Sequence, residues 1–276
     1  MATVQMKSEY PSTWLTTLSW VRKLPEAKHD EAVKWLVENG DDLPLCDGEP
    51  PRRGAARFRQ AHDGTADVKW VGQDPPKRVQ REKLLARALW NSSNGYAPAV
   101  GDSGGLLGKI LDYEVPLKPR GGGYPGLGKI DILSAGSARE PVIIELKIGT
   151  KSPLEGIIEA YFYTRILRDE MNLKALGDQY SELDVKACWR MLLVAPDEVL
   201  AKSTEPLFAL TRWCEKQVSA VFTLAKIGSV KSVRDILDHV VASCRSNRRP
   251  MLSPDCCLKV ISSVESMGRS RKGVAS

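Results

Sequence analysis

The chain has 276 residues, with 40 Lys and Arg against 34 Asp and Glu and a formal net charge of +6. That length supports one large domain or two modest ones, and no apolar run reaches the roughly 18 residues of a membrane span. Six cysteines without a Cys-x-x-Cys pair, and three histidines, argue against a clustered zinc site and a disulfide framework. The first residues, with Lys7 and Glu9 ahead of Tyr10 and Pro11, hold no signal-peptide core, so a reduced, soluble, cytoplasmic protein with no membrane partner is expected.

Residues 1–42 read as a small helical part: one helix from Ser12 to Leu24, then another from Pro25 to Asn39 closed by Gly40. A Pro-, Gly- and Arg-rich linker spans 43–76. Its Arg52, Arg53, Arg57 and Arg59 suit either contact with a phosphate backbone or a solvated connector. Val79 to Trp90 reads as a helix with Val79, Glu82, Ala86 and Leu89 on one stripe. Glu82 is the polar member of that stripe, serving either a site or a partly exposed helix face beside Arg78 or Lys83.

Gly101 to Gly105 spells the Gly-Asp-Ser-Gly-Gly of trypsin-like proteases, but that arrangement needs an upstream His and Asp on a double β-barrel. The upstream histidines, His29 and His62, fall in sequence that reads as helix and loop, so a plain loop is expected. Leu107 to Leu117 reads as the first strand, followed by a glycine-rich turn from Pro119 to Gly128. Gly123 to Lys129 fits Gly-x4-Gly-Lys, yet Ile130 stands where Ser or Thr is required and a strand begins where a helix should.

The densest information lies in Gly128-Lys129-Ile130-Asp131-Ile132-Leu133 and in Pro141 to Ile148 (PVIIELKI). Successive strand side chains face opposite ways, so Glu145 and Lys147 share one face while Ile144, Leu146 and Ile148 take the other. A hairpin centred near Ala138 places Asp131 opposite Glu145, with Cβ atoms roughly 4.5–5.5 Å apart. Such a hairpin with a solvated polar face is common, although Asp is depleted from strand interiors. Carboxylates held that close repel unless a cation lies between them, which makes this face a candidate divalent-metal site.

Ser152, Pro153 and Glu155 then mark a helix start with N-cap, first-position proline and capping box. That helix is expected to run through Ile157, Ile158, Tyr161 and Arg165 toward Gly177. Ala187 to Val194 reads as a buried strand, Asp197 to Val218 as a helix, Val221 to Ile227 as an added strand and Ser232 to Ala242 as a further helix. From Arg245 onward seven basic residues face two acidic ones, a tail suited to salt-sensitive binding of a polyanion or simply to solubility.

Asp131 on one strand and Glu145-Leu146-Lys147 on the next resemble the PD-(D/E)XK nuclease superfamily. The order helix, three strands, helix, strand over residues 77–196 fits the same family. The resemblance implies an α/β fold with a restriction-endonuclease-like core, in which a mixed, mainly antiparallel central sheet is flanked by helices. It assigns residues 77–244 to a nuclease-like domain with a C-terminal extension, between the linker and the basic tail at 245–276.

It further implies a Mg²⁺-dependent deoxyribonuclease, with Mn²⁺ able to substitute. Asp131 and Glu145 would be the metal ligands and Lys147 the group that orients water or stabilises charge, joined by Glu82 as a catalytic and metal-site residue from the first helix. DNA is the implied partner, and cutting both strands would favour a two-fold homodimer. A non-catalytic nucleic-acid-binding module that kept the fold is the alternative. Two departures stand out: Ile130 precedes Asp131 where a proline is frequent, and Glu159 with Tyr163 is the nearest counterpart of the Gln-x-x-x-Tyr found in some branches.

Overall fold

The computed structural model describes residues 10–45, 81–93, 106–117, 128–149, 152–247, 252 and 262–263. The remaining parts of the linker and basic tail, the Gly101–Gly105 loop, residues 118–127, Cys46, Cys256 and Cys257 lie outside the described residues. Five strands form one sheet in chain order: β1 (Lys109–Pro116), β2 (Lys129–Ala135), β3 (Pro141–Leu146), β4 (Trp189–Ala195) and β5 (Ala220–Lys226), with the two-residue β6 (Ser262–Ser263) on the β5 edge. β1, β2 and β3 pair antiparallel, β3, β4 and β5 pair parallel, and β6 is antiparallel. The sheet is therefore mixed, with its parallel half produced by helical crossovers, which parallel neighbours require.

Helices cover both faces. On one side lie α1 (Trp14–Val21), α2 (His29–Asn39), α4 (Pro153–Leu167) and α7 (Glu205–Val218); on the other, α3 (Arg81–Ser93) and α8 (Val230–Asn247). β3 shows how the sequence serves two cores. Val142, Ile144 and Leu146 enter the α3–α8 layer, whereas Ile143 enters the α4 layer, as period-two alternation requires. A strand buried on both faces reads as a continuous apolar run, and all six residues of β3 are buried.

Two long predicted helices are each divided. The segment after Ser152 breaks after Leu167 and restarts as α5 (Glu170–Gln179), because the Asp169 side chain accepts from the Met171 N–H at 3.2 Å and caps a new helix. The segment after Pro196 is a short α6 (Asp197–Leu200) followed by α7, which restarts with Pro206 in its first turn. α1 and α2 pack onto α4 and α7 around Trp14, whose ring meets Tyr161 edge-on at 4.7 Å and stacks on Trp213 at 5.7 Å. Trp14 Nε1 also donates to the Gly40 carbonyl at 3.2 Å. Among the described residues no helix is long and apolar enough to cross a membrane.

Candidate active site

The β2–β3 register pairs Ile132 with Ile144, Leu133 with Ile143, Ser134 with Val142 and Ala135 with Pro141. That centres the turn on Ala138, as the sequence predicts, and brings Asp131 across from Glu145. The Asp131 N–H points to Glu145 Oε1 at 3.5 Å, and the Leu146 N–H donates to Asp131 Oδ2 at 2.9 Å. Lys147 follows on the same face, fixed by its own N–H, which donates to the Val194 carbonyl at 2.9 Å. The site thus sits where β3 ends, beside the opening turn of α4.

α4 is apolar around nearly its whole circumference and almost wholly buried, yet it carries Glu155 and Glu159 one turn apart. Glu159 Oε2 lies 2.5 Å from Lys147 Nζ. Arg22, immediately after α1, donates from Nε to Glu155 Oε1 at 2.8 Å and from Nη2 to Glu159 Oε1. Glu155, assigned to the helix cap from sequence, therefore reaches across to the N-terminal helices. The Ser152 hydroxyl does cap α4, accepting from the Leu154 N–H at 3.2 Å.

These groups border a cleft of about 480 Å³, which Glu82, Lys83, Glu114, Lys129 and Tyr163 also line. The structure thus brings Asp131, Glu145, Lys147 and Glu82 to one cavity. Among the described residues no group of three or more Asp, Glu, His or Cys side chains stands arranged around a single metal position. Asp131 and Glu145 form a pair, and Glu82 contributes to the cleft through its charge, which acts on both Asp131 and Lys147.

Electrostatics follow from burial. Desolvation pushes the Asp131 carboxyl up to about 7, against the pull of Lys147 and the Leu146 N–H, with Glu159 and Glu82 adding repulsion. Burial raises Glu145 well above the usual carboxylate range, reinforced by Asp131 and Glu159. For Lys147 burial acts in the opposite sense, but Glu159, Glu145, Asp131 and Glu82 outweigh it and hold the ammonium charged. A cation placed between Asp131 and Glu145 would relieve repulsion that Lys147, tied to Glu159, balances only in part.

Gly156 makes this packing possible. A Cβ there would lie 2.5 Å from Leu193 Cδ1 and 2.9 Å from Lys147 Cγ, so the absent side chain lets α4 approach β3. Gly156→Ala is expected to cost about 1–3 kcal/mol through overpacking and to displace the Lys147 stem. Chemical denaturation checks the expected loss of stability.

Three contributors escaped sequence reasoning. Arg22 lies more than 130 residues from its partners, and nothing local marks it. Glu159 stood out only as a family counterpart, not as the partner of Lys147. Glu114 sits on β1 between the pairs Tyr113–Ile132 and Val115–Ile130, which sets it opposite Asp131. The single signal for it was an acidic residue inside a mainly buried strand, a signal that Asp112 shares. Comparison with family models, with curated proteins and with solved structures finds no match for this chain.

Proposed function

We propose that this chain is a divalent-metal-dependent nuclease of the PD-(D/E)XK type, with a restriction-endonuclease-like core, hydrolysing phosphodiester bonds in DNA. The observation that carries the proposal is the cross-strand pair Asp131 and Glu145, with Lys147 next on the same face and all three on one cleft. The donor set fits Mg²⁺ or Mn²⁺. Both carboxylates offer oxygen, the ligand a hard cation prefers, and Mg²⁺ commonly binds through one or two carboxylates while retaining waters and substrate phosphate oxygens. When bound, the metal would supply Lewis acidity toward the phosphoryl group and a more acidic water.

The chain's own residues then have separable roles. Asp131 and Glu145 hold the cation, the former oriented by the Leu146 N–H. Lys147, kept charged and held by Glu159, is placed to steady the attacking water or the charge that develops on phosphate. Glu82 completes the acidic side of the cleft from α3. Intact Asp131, Glu145 and Lys147 favour a working enzyme over a binding module that merely kept the fold.

The test is cleavage of plasmid, linear duplex, single-stranded and branched DNA with Mg²⁺ or Mn²⁺ against EDTA, beside Lys147→Ala. Metal-dependent cutting by the wild type alone supports the proposal and identifies the substrate class. DNA binding without cutting on any substrate points to the non-catalytic module. Equal cutting by the variant places the site elsewhere.

A further inference from the structure

Resting on the nuclease reading, we infer that Lys83 and Lys129, backed by Arg87, form a subsite for a backbone phosphate of the nucleic-acid substrate, beside the metal position, and that Glu114 holds this phosphate's place in the free protein. The cleft is polarised. Asp131, Glu145, Glu82, Glu155 and Glu159 crowd one side with Lys147 and Arg22, an excess of negative charge suited to a cation. Around Glu114 the balance reverses: Arg87, Lys83 and Lys129 surround one carboxylate, leaving an excess of positive charge suited to an anion.

The geometry at Glu114 favours this reading. Arg87 donates to Glu114 Oε2 from Nε at 3.2 Å and from its terminal nitrogen at 2.7 Å, a firm anchor from α3. Lys83 and Lys129 instead reach Oε1 only at 3.6 and 3.5 Å. Their side chains are 39% and 47% exposed, whereas Glu114 is 4% exposed. Two ammonium groups at the cleft wall thus share one distant oxygen, and a backbone phosphate with two non-bridging oxygens would satisfy them better.

The backbone is also unusual. Glu114 has φ of 48° within a strand, a left-handed conformation that a non-glycine residue adopts only where its surroundings enforce it. Its carboxylate stays charged: burial acts against it, but the Arg87 hydrogen bonds and charge, then Lys129 and Lys83, hold it below the usual carboxylate range. The structure therefore maintains, at some strain, an anion among cations next to Asp131.

The experiment measures the affinity of the full chain for fluorescein-labelled duplex and single-stranded oligonucleotides in EDTA, across a salt series. The variants are Lys83→Ala/Lys129→Ala, Glu114→Gln and Lys174→Ala, the last an exposed lysine on α5 paired with Asp178. Loss of this one phosphate contact is expected to weaken binding and to reduce the slope of log affinity against log salt by about 1. Glu114→Gln is expected to tighten binding, since the competing charge is gone, and Lys174→Ala to leave both quantities as they are.

Wild-type affinity and slope in the double variant, an equal loss in Lys174→Ala, or no binding by the wild type would overturn the subsite. Metal-dependent cleavage alongside unchanged binding by the double variant would remove the subsite and retain the nuclease. Lysine-dependent binding without cleavage would do the reverse.

Discussion

Lys147→Ala is expected to slow metal-dependent cleavage by about 10²–10³ and to destabilise the fold at the same time. The Lys147 side chain is 7% exposed, its ammonium lies 2.5 Å from Glu159, and Glu145 and Asp131 act on it from the same face. Removing one member of a buried ion pair typically costs about 3–5 kcal/mol. Arg22 still pairs with Glu159, but the buried Asp131 and Glu145 would lose the attraction of Lys147. Here Asp131 and Glu145, already held high by burial, would take up protons, so the deficit should shrink as pH falls. Loss of a preorganised charge stabiliser typically lowers kcat by about 10²–10³.

The double variant Lys147→Met/Glu159→Gln separates the two effects, because it removes both charges while keeping much of the packing. It should recover a large part of the stability and none of the activity. Urea denaturation and initial cleavage rates provide the readouts. A destabilised Lys147→Ala that still cuts at the wild-type rate would leave Lys147 a purely structural cation.

The second large effect is an inverted pH dependence of stability. Asp131 in the folded chain titrates at about 7, far above its ordinary 3.8, so between those values the folded state keeps a proton that the unfolded state has released. Stability therefore falls as pH rises through this window and levels off above it, with a slope of up to about 1.4 kcal/mol per pH unit for each proton involved. Glu145 acts in the same direction. Glu114, held low by its cations, acts in the opposite direction at the acid end, so the difference between wild type and Asp131→Asn isolates the site.

Asp131→Asn should flatten the dependence between about pH 4 and 7. Mg²⁺ should raise the melting temperature of the wild type, more strongly as rising pH frees the Asp131 and Glu145 carboxylates to bind it, and leave Asp131→Asn unmoved. Thermal melts across pH with and without Mg²⁺ check both expectations. A wild type whose stability rises through this window would contradict them.

The β2–β3 hairpin was legible because both faces of β3 are buried, so a one-residue slip would carry Ile144 and Leu146 to the wrong layer. With the turn centred near Ala138, that constraint places Asp131 against Glu145, and alternation sets Lys147 on the same face. β1 was less legible. Its pairing shifts between Ile110 and Asp112 and its backbone turns over at Glu114, so simple alternation no longer says where a side chain points. The break between α4 and α5 was missed because Arg168, Asp169 and Glu170 read as a polar helix face as easily as a cap.

Arg22 illustrates a different limit. Its role depends on α1 packing against α4 through Trp14 and Tyr161, a tertiary contact with no local sequence signature. Glu159 stands between the two cases. Its place on a buried helix was readable from the apolar residues around it, but the ion pair with Lys147 requires the close approach that Gly156 permits.

The most direct measurement of the central claim is anomalous scattering from crystals of the wild type and Asp131→Asn soaked in Mn²⁺. The account predicts a peak in the wild type within coordination distance of both Asp131 and Glu145, and its loss in the variant. No peak at that pair, or a peak that persists without the Asp131 carboxylate, would contradict it.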